Sequence, residues 1–165
     1  MTRYAEISTC GAYRYRLERT WDCGLPRCAW ICLNPSTADD QRDDPTVRKI
    51  IGFSSRWGYG GFALFNVLAL RSADPRTLLT HDAPRGPGNE PWRIAQWCDA
   101  VSPDWPILAW GAVHKRFEIM AMECFAALPK QARCLGYTKD GNPRHPLMLP
   151  YSTRLEIFRP LAKKL

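Results

Sequence analysis

Polar side chains follow several apolar runs of this sequence, at points where buried strands would end. Asn34 and Asn66 come directly after two such runs, Trp110 follows a third, and His145 lies beyond a fourth candidate strand and a turn. A carboxamide both donates and accepts hydrogen bonds, and a neutral imidazole donates one to an oxygen on which negative charge develops. These residue types suit a site that recognises the polar edge of a ligand and orients a water molecule beside it.

The elements that would position these side chains alternate between strands and helices. Strand-like patterns cover residues 13–19, 28–33, 62–65, 106–109 and 132–137. Helix-like patterns begin at Pro45 and Pro75 and cover residues 92–101, 113–128 and 152–158. This alternation predicts an α/β fold: a three-layer domain with a central, largely parallel four-stranded sheet flanked by helices. The carboxyl ends of parallel strands share one sheet edge, where ligands bind, so we expect the site there.

Charge and composition indicate the kind of partner. The 165 residues carry 23 Lys and Arg against 16 Asp and Glu, a formal charge of +7, and suit one domain over residues 1–165. A basic surface attracts phosphate groups, so DNA or a nucleotide is the expected partner. No apolar run reaches the roughly 20 residues of a membrane span, and the first residues lack a signal-peptide core. We therefore expect a soluble cytoplasmic domain, with a monomer favoured and no membrane partner.

The seven cysteines are an odd number, which indicates free thiols in a reducing compartment. Cys23, Cys28 and Cys32 are close together, but their gaps of four and three residues do not match a Cys-x2-Cys zinc pair. Cys28 and Cys32 also lie in an apolar run, where cysteine is usually a small buried hydrophobe. The cysteines therefore predict structural thiols, with no metal and no cofactor.

Four acidic residues, Asp39, Asp40, Asp43 and Asp44, lie within six positions after the first buried strand. Grouped carboxylates can bind Mg²⁺ and support hydrolysis of a phosphodiester or a nucleotide. Asp44 also precedes Pro45 and is a typical helix N-cap, so the cluster has a structural interpretation as well. A metal-dependent hydrolase stays open as an alternative.

Four long motifs resemble domain-of-unknown-function family 1643, which occurs in bacteria and their phages. They are LNPSTAD at 33–39, DDPT at 43–46, RWGYGG at 56–61 and GYTKDGNPRHPL at 136–147. The resemblance extends from about Cys10 to Phe158 and so covers almost the whole chain. The name of this family carries no function.

The order of shorter motifs is similar to that of the uracil-DNA glycosylase superfamily. It runs through Asn34-Pro35-Ser36, Leu64-Phe65-Asn66, residues 108–111 (LAWG) and Arg144-His145-Pro146. The resemblance implies a uracil-DNA-glycosylase-like fold. It also implies that Asn34 positions water, that Asn66 reads the extruded base and that His145 faces the leaving base.

The same resemblance implies the remaining candidate residues. Those lining the base site would be Pro35, Ser36 and Trp110. An aromatic side chain would stack on the base, for which the candidates are Phe53, Trp57 and Tyr59, with Tyr59 preferred. Exposed cations would hold the flanking phosphates, and the candidates are Lys139 and Arg144.

The residues favour a DNA glycosylase-like hydrolase that cleaves the N-glycosidic bond of a deaminated or modified base, preferably a pyrimidine. Asn34 stands where the fastest members of the superfamily have aspartate, and an amide cannot take a proton from water, so the enzyme is expected to be slow. A non-catalytic nucleic-acid or nucleotide-binding module is the second hypothesis. The catalytic hypothesis requires that Asn34, Asn66 and His145 share one pocket.

Overall fold

The apolar runs and proline-capped segments become strands and helices in the computed structural model, which describes residues 1–102 and 104–161. The strands are β1 (Thr2–Ile7), β2 (Arg14–Thr20), β3 (Arg27–Cys32), β4 (Gly61–Asn66), β5 (Ile107–Leu108), β6 (Arg133–Cys134) and β7 (Glu156–Ile157). The helices are α1 (Pro45–Arg56), α2 (Pro75–Thr80), α3 (Pro91–Val101) and α4 (Lys115–Ala126). The predicted alternation of strands and helices is confirmed.

The described strands form one mixed sheet in the order β1-β2-β4-β3-β5-β6-β7. The inner strands β4, β3, β5 and β6 pair in parallel, whereas β1, β2 and β7 join at the two sides by antiparallel pairing. The prediction of a four-stranded sheet is therefore wrong. Strand β2 falls on the strand-like pattern at 13–19, whereas the edge strands β1 and β7 were not predicted. An edge strand pairs on one side only, which leaves little signal in its exposed sequence.

The inner strands are buried on both faces, as their unbroken apolar sequences predict. On β3, Trp30 and Cys32 join a core beneath α1, whereas Ala29 and Ile31 join the core under α3 and α4. Alternate strand residues point to opposite faces, so a single apolar run fills both cores. The molecule therefore has helices on both sides of the sheet.

Helix α1 begins as its sequence predicts. The Asp44 carboxylate accepts the Val47 N–H at 2.8 Å, and Pro45 occupies the first turn, where no hydrogen-bond donor is needed. The buried face of the helix consists of Val47, Ile50 and Phe53 with Ser54. This cap fixes where α1 meets the carboxyl end of β3.

The predicted helix over 152–158 is wrong, because residues Glu156 and Ile157 form β7 instead. Strand β7 pairs antiparallel with β6, and Phe158 beyond it is buried against Trp110, Phe125 and Tyr137. These partners are distant in sequence, so the local pattern could not register them. The turn predicted at Asp140-Gly141 is present, and the Gly141 N–H donates to the Thr138 carbonyl at 3.0 Å.

The cysteines are free thiols, and Cys28 and Cys32 are buried in β3, as predicted. Burial raises the pKa of both thiols to about 12, so both stay protonated at neutral pH. No helix in residues 1–102 and 104–161 has the length and apolar character needed to cross a bilayer.

Candidate functional site

A cavity of about 440 Å³ lies at the carboxyl ends of β3 and β4. It is the place that the parallel topology predicts for a ligand. Its wall combines residues from the strand ends, from the start of α1 and from two distant loops. The polar members are Arg14, Asn34, Ser36, Asp44, Thr46, Asn66, Ser72 and His145, and the others include Cys32, Leu64, Trp110 and Leu147. The structure therefore brings Asn34, Asn66 and His145 to one cavity, together with the predicted Ser36 and Trp110.

Asn34 follows β3 and has a fixed side-chain amide. Its Nδ2 donates to the carbonyl oxygens of Pro35 and Ser72, both at 2.9 Å. Because both carbonyl oxygens accept from Nδ2, the amide is held in one orientation. Oδ1 is then left to accept from a ligand or a water molecule. Pro35 itself is buried, and its carbonyl also accepts the Ser72 N–H at 2.9 Å, so its observed role is to join the two loops.

Asn66 ends β4 and is 2% exposed. Its Oδ1 accepts a hydrogen bond from Nη2 of Arg14 at 3.4 Å, whereas its buried Nδ2 has no acceptor among the described residues. An unsatisfied buried donor costs about 1–3 kcal/mol, which makes it a group that a ligand acceptor would stabilise. Asn34 and Asn66 thus differ: the first leaves an acceptor available and the second a donor.

Arg14 starts β2 and is buried with 2% exposure. Its Nη1 donates to the Ala38 carbonyl at 2.7 Å, and its buried Nε has no partner among the described residues. Burial lowers the pKa of Arg14 to about 10, and the charge of Asp44 opposes that shift. The guanidinium therefore remains positively charged at neutral pH inside the cavity wall.

His145 is half-buried in the cavity wall, and its Nδ1 accepts the Leu147 N–H at 3.3 Å. This bond places the proton of the neutral ring on Nε2, which is then the free donor of the side chain. Burial lowers the pKa of His145 below its usual 6.5, while the charge of Asp44 raises it in part. The neutral, hydrogen-bond-donating form is thus favoured at neutral pH.

A glycine allows His145 to approach the end of β5. Gly111 has φ +73, and a Cβ added to it would lie 3.1 Å from the Cβ of His145. The Gly111 N–H donates to the Pro143 carbonyl at 2.8 Å, and Nε1 of Trp110 donates to Oδ1 of Asn142 at 3.2 Å. The loop that carries His145 is therefore held against the strand end by bonds from Trp110 and Gly111.

Asp44 is the one carboxylate among the described residues that line the cavity. The other three members of the acidic cluster have protein partners. Asp43 accepts from Arg3 and Arg19, Asp39 accepts two backbone N–H groups of its own loop, and Asp40 accepts from the side chain of Gln41. Within the described part of the chain, no three His, Cys, Asp or Glu side chains form a group that could hold a metal ion. A metal-dependent hydrolase at this cluster stays a hypothesis.

Tyr59 does not take the predicted position. It precedes β4, at the opposite end of that strand from Asn66, and its hydroxyl donates to the Asp104 carboxylate at 3.0 Å. The other stacking candidates belong to the core beneath α1, where Phe53 is fully buried and Trp57 stacks on Trp30. Among the described aromatic residues, the one that lines the cavity is Trp110.

Lys139 and Arg144 are exposed in the loop between β6 and His145. Lys139 is in the turn, and the Arg144 backbone N–H donates to the Gly136 carbonyl at 3.0 Å. Arg144 immediately precedes the cavity residue His145 in the chain.

Arg14, Asp44 and Ser72 are cavity residues that the sequence interpretation missed or assigned elsewhere. Asp44 was predicted only as a helix cap or metal ligand, and Arg14 only as part of an alternating strand. The sequence carries no signal that singles out Arg14, because it falls on the charged positions of the alternating strand, with Arg16 and Glu18.

A family model described as "Protein of unknown function (DUF1643)" matches residues 14–147. The match spans most of the chain, so this protein belongs to the DUF1643 family, as its long motifs predicted. Neither the curated proteins nor the solved structures contain a match. The similarity to uracil-DNA glycosylases remains a prediction from the motif order.

Proposed function

We propose that this protein is a DNA glycosylase-like hydrolase, with a uracil-DNA-glycosylase-like site that acts on a deaminated or modified base. The observation that carries the proposal is that Asn34, Asn66 and His145, from three separate segments, line one cavity of about 440 Å³. This volume is within the range of about 300–1,000 Å³ that small-ligand pockets occupy, and it is ample for one base.

The reaction breaks the bond between C1′ of the sugar and the base nitrogen, and the bonding electrons leave with the base. A water oxygen forms the new bond to C1′ and releases its proton to solvent. Oδ1 of Asn34 accepts a hydrogen bond from this water and orients it, since Nδ2 is occupied by Pro35 and Ser72. An amide does not take the proton, so the expected rate is low.

Charge stabilisation is the larger contribution. Nε2 of neutral His145 donates to the base oxygen on which negative charge develops, and the hydrogen bond from Leu147 keeps the ring in that form. Positive charge builds on the sugar in an oxocarbenium-like transition state. Asp44, the carboxylate of the cavity wall, would stabilise that charge while it caps α1.

The surroundings of the cavity favour a nucleic-acid substrate. The chain has a formal charge of +7, and Arg144 beside His145 is exposed, as is Lys139 in the same loop. Such side chains contact phosphates on either side of a base that has left the stack. Trp110 offers an aromatic side chain for contact with the base.

The test uses single-stranded and duplex oligonucleotides that carry uracil or 5-substituted pyrimidines, followed by alkali, which breaks the strand at abasic sites. We expect breaks for at least one base, unchanged by a metal chelator. H145A and N34A should reduce the breaks about tenfold or more, because each removes a transition-state contact. H81A is the matched control: Nδ1 of His81 also accepts the N–H two residues further on, at 3.0 Å, but away from the cavity.

The binding-module hypothesis predicts a different result in the same experiment. Asn34 is an amide, so all the cavity's polar contacts could serve binding alone. Intact strands for every base, with DNA binding retained, would establish that function and contradict the glycosylase. Breaks that disappear with the chelator would instead favour metal-dependent hydrolysis.

A further inference from the structure

We infer that Arg14 is a positioning residue that fixes which hydrogen-bonding group Asn66 offers to a ligand. The inference rests on the proposed function in one respect, that the ligand is a nucleobase. It adds a residue from β2 to a site that the motifs place on other elements. It also states what the ligand must present at this point of the cavity, namely a hydrogen-bond acceptor.

The first step is the chemistry of the pair. Arginine carries only donors, so Nη2 of Arg14 can pair with Oδ1 of Asn66 and not with Nδ2. A flipped amide would place two donors against each other in a buried place. Arg14 therefore holds the carboxamide of Asn66 in one orientation.

The second step is that the guanidinium cannot easily move away. Nη1 is held by the Ala38 carbonyl at 2.7 Å, and the Arg14 backbone N–H donates to the Ala69 carbonyl at 2.9 Å. The side chain is 2% exposed, so rotation toward solvent is blocked. The orientation of Asn66 is thus set by a group that is itself fixed by two other segments.

The third step is the group left over. Nδ2 of Asn66 is buried and has no acceptor among the described residues, although Asn66 belongs to the cavity wall. The backbone carbonyl of Asn66 is already used by Nδ2 of Asn89 at 3.0 Å. A ligand with a carbonyl oxygen at this point would satisfy the donor. A ligand with an amino group there would bring two donors together.

The experiment compares free uracil with free cytosine, which have similar shapes but carry a carbonyl oxygen and an amino group at the same ring position. Binding is measured by ligand-observed NMR titration. We expect wild-type protein to bind uracil about tenfold or more tightly than cytosine. The carbonyl oxygen of uracil satisfies Nδ2 of Asn66, whereas the amino group of cytosine places a second donor against it. In R14M the freed amide can rotate to suit either base, so the ratio should approach one.

Two further variants separate positioning from general damage. R14K keeps a cation and donor beside Oδ1, so it should restore most of the preference. R19M is the matched control, since Arg19 is a fully buried arginine of the same strand that pairs with Asp43 outside the cavity. It should lose stability and keep the wild-type ratio.

The outcomes are distinct from those of the strand-break assay, because free bases have no glycosidic bond. Selective binding without strand breaks would contradict the glycosylase and support the role of Arg14. Equal or undetectable binding of the two bases by wild-type protein would overturn the inference. So would a wild-type ratio in R14M, or a loss of selectivity in R19M equal to that in R14M.

Discussion

Nδ2 of Asn34 donates to the carbonyl oxygen of Ser72, 38 positions further along the chain, at 2.9 Å. With its second bond, to Pro35, this contact joins the loop after β3 to the loop before α2. The same bonds leave Oδ1 of Asn34 as the available atom in the cavity. Asn34 therefore has a structural and a chemical role that experiments can separate.

N34A should lower the free energy of unfolding by about 1–2 kcal/mol, because it removes two side-chain hydrogen bonds, one of which joins two loops. N34D should lower it at least as much at neutral pH, because a carboxylate would face two carbonyl oxygens. Urea denaturation measures both changes. Unchanged stability in N34A would show that the observed bonds do not hold the loops together.

His145 should make the protein less stable as the pH falls. Its pKa in the folded protein is lowered by burial, so the unfolded chain binds more protons between that value and about 6.5. Its contribution to stability is complete above pH 6.5 and is lost progressively as acid is added, down to the folded pKa. The decrease should be smaller in H145Q than in wild-type protein, measured by urea midpoints across pH. Equal slopes would contradict the lowered pKa.

Base release should follow the same ionisation. The neutral ring is the form that donates from Nε2. As the pH is lowered, activity should therefore stay constant to a value below 6.5 and then fall as Nδ1 is protonated. Protonation also breaks the bond from the Leu147 N–H. NMR titration of the ring, compared with His81, identifies the group. An activity that rises on acidification through this range would contradict the assignment of His145 as a neutral donor.

Asp44 should contribute through both its cap and its charge. D44A removes the acceptor for the Val47 N–H and should cost about 1 kcal/mol of stability, whereas D44S keeps a capping oxygen and should cost much less. Both variants remove the negative charge that raises the pKa of His145, so NMR should show that pKa falling in each. An unchanged His145 pKa in D44S would show that the charge of Asp44 does not act on the ring.

G111A should disturb the site beyond its effect on the backbone. Its φ of +73 is unfavourable for alanine, and the new Cβ would lie 3.1 Å from the Cβ of His145. G58A is the control, since its φ is +83 and nothing lies within 4 Å of an added Cβ. Both should lose about 1–2 kcal/mol of stability, and only G111A should lose base binding. Equal base binding in the two variants would contradict close packing of His145 on Gly111.

The exposed cations of the loop that carries His145 should act through phosphates. R144A and K139A should each weaken DNA binding for all sequences. Each should also reduce the slope of log binding constant against log salt concentration by about one, the effect of one lost phosphate contact. K130A removes one charge from the opposite edge of the sheet, where Lys130 pairs with Asp99 before β6 begins. Fluorescence anisotropy at several salt concentrations measures the slopes. A slope reduced equally by K130A would indicate attraction by net charge alone.

The sequence was sufficient to predict those helices and strands that depend on interactions between neighbouring residues. Asp44 and Pro45 begin α1 because a carboxylate cap and a missing donor act within one turn. The apolar run that includes Trp30 becomes a central strand because both its faces are covered. By contrast, β1 and β7 are edge strands that each pair with one neighbour, and β7 meets β6 across a long loop. The sheet was therefore predicted with too few strands, and residues 152–158 were predicted as helix.

The same distinction separates the site residues. Asn34, Asn66 and His145 follow apolar runs, and the sharing of one sheet edge by parallel strands was enough to predict that they meet. Tyr59 was misplaced because its position before β4, rather than after it, decides which edge it reaches. Arg14 was missed because its side chain becomes informative only beside Asn66, 52 positions away.

The sequence by itself determined the α/β class, the principal helices and buried strands, the family and three polar residues of one cavity, because each depends on periodicity, capping or long motifs. Only the tertiary structure decided the edge strands β1 and β7, the donor and acceptor orientations of the two asparagines, and the burial of Arg14 in the cavity wall. These features arise from hydrogen bonds and packing between segments that are far apart in the chain. Their energies depend on geometry that residue order does not specify.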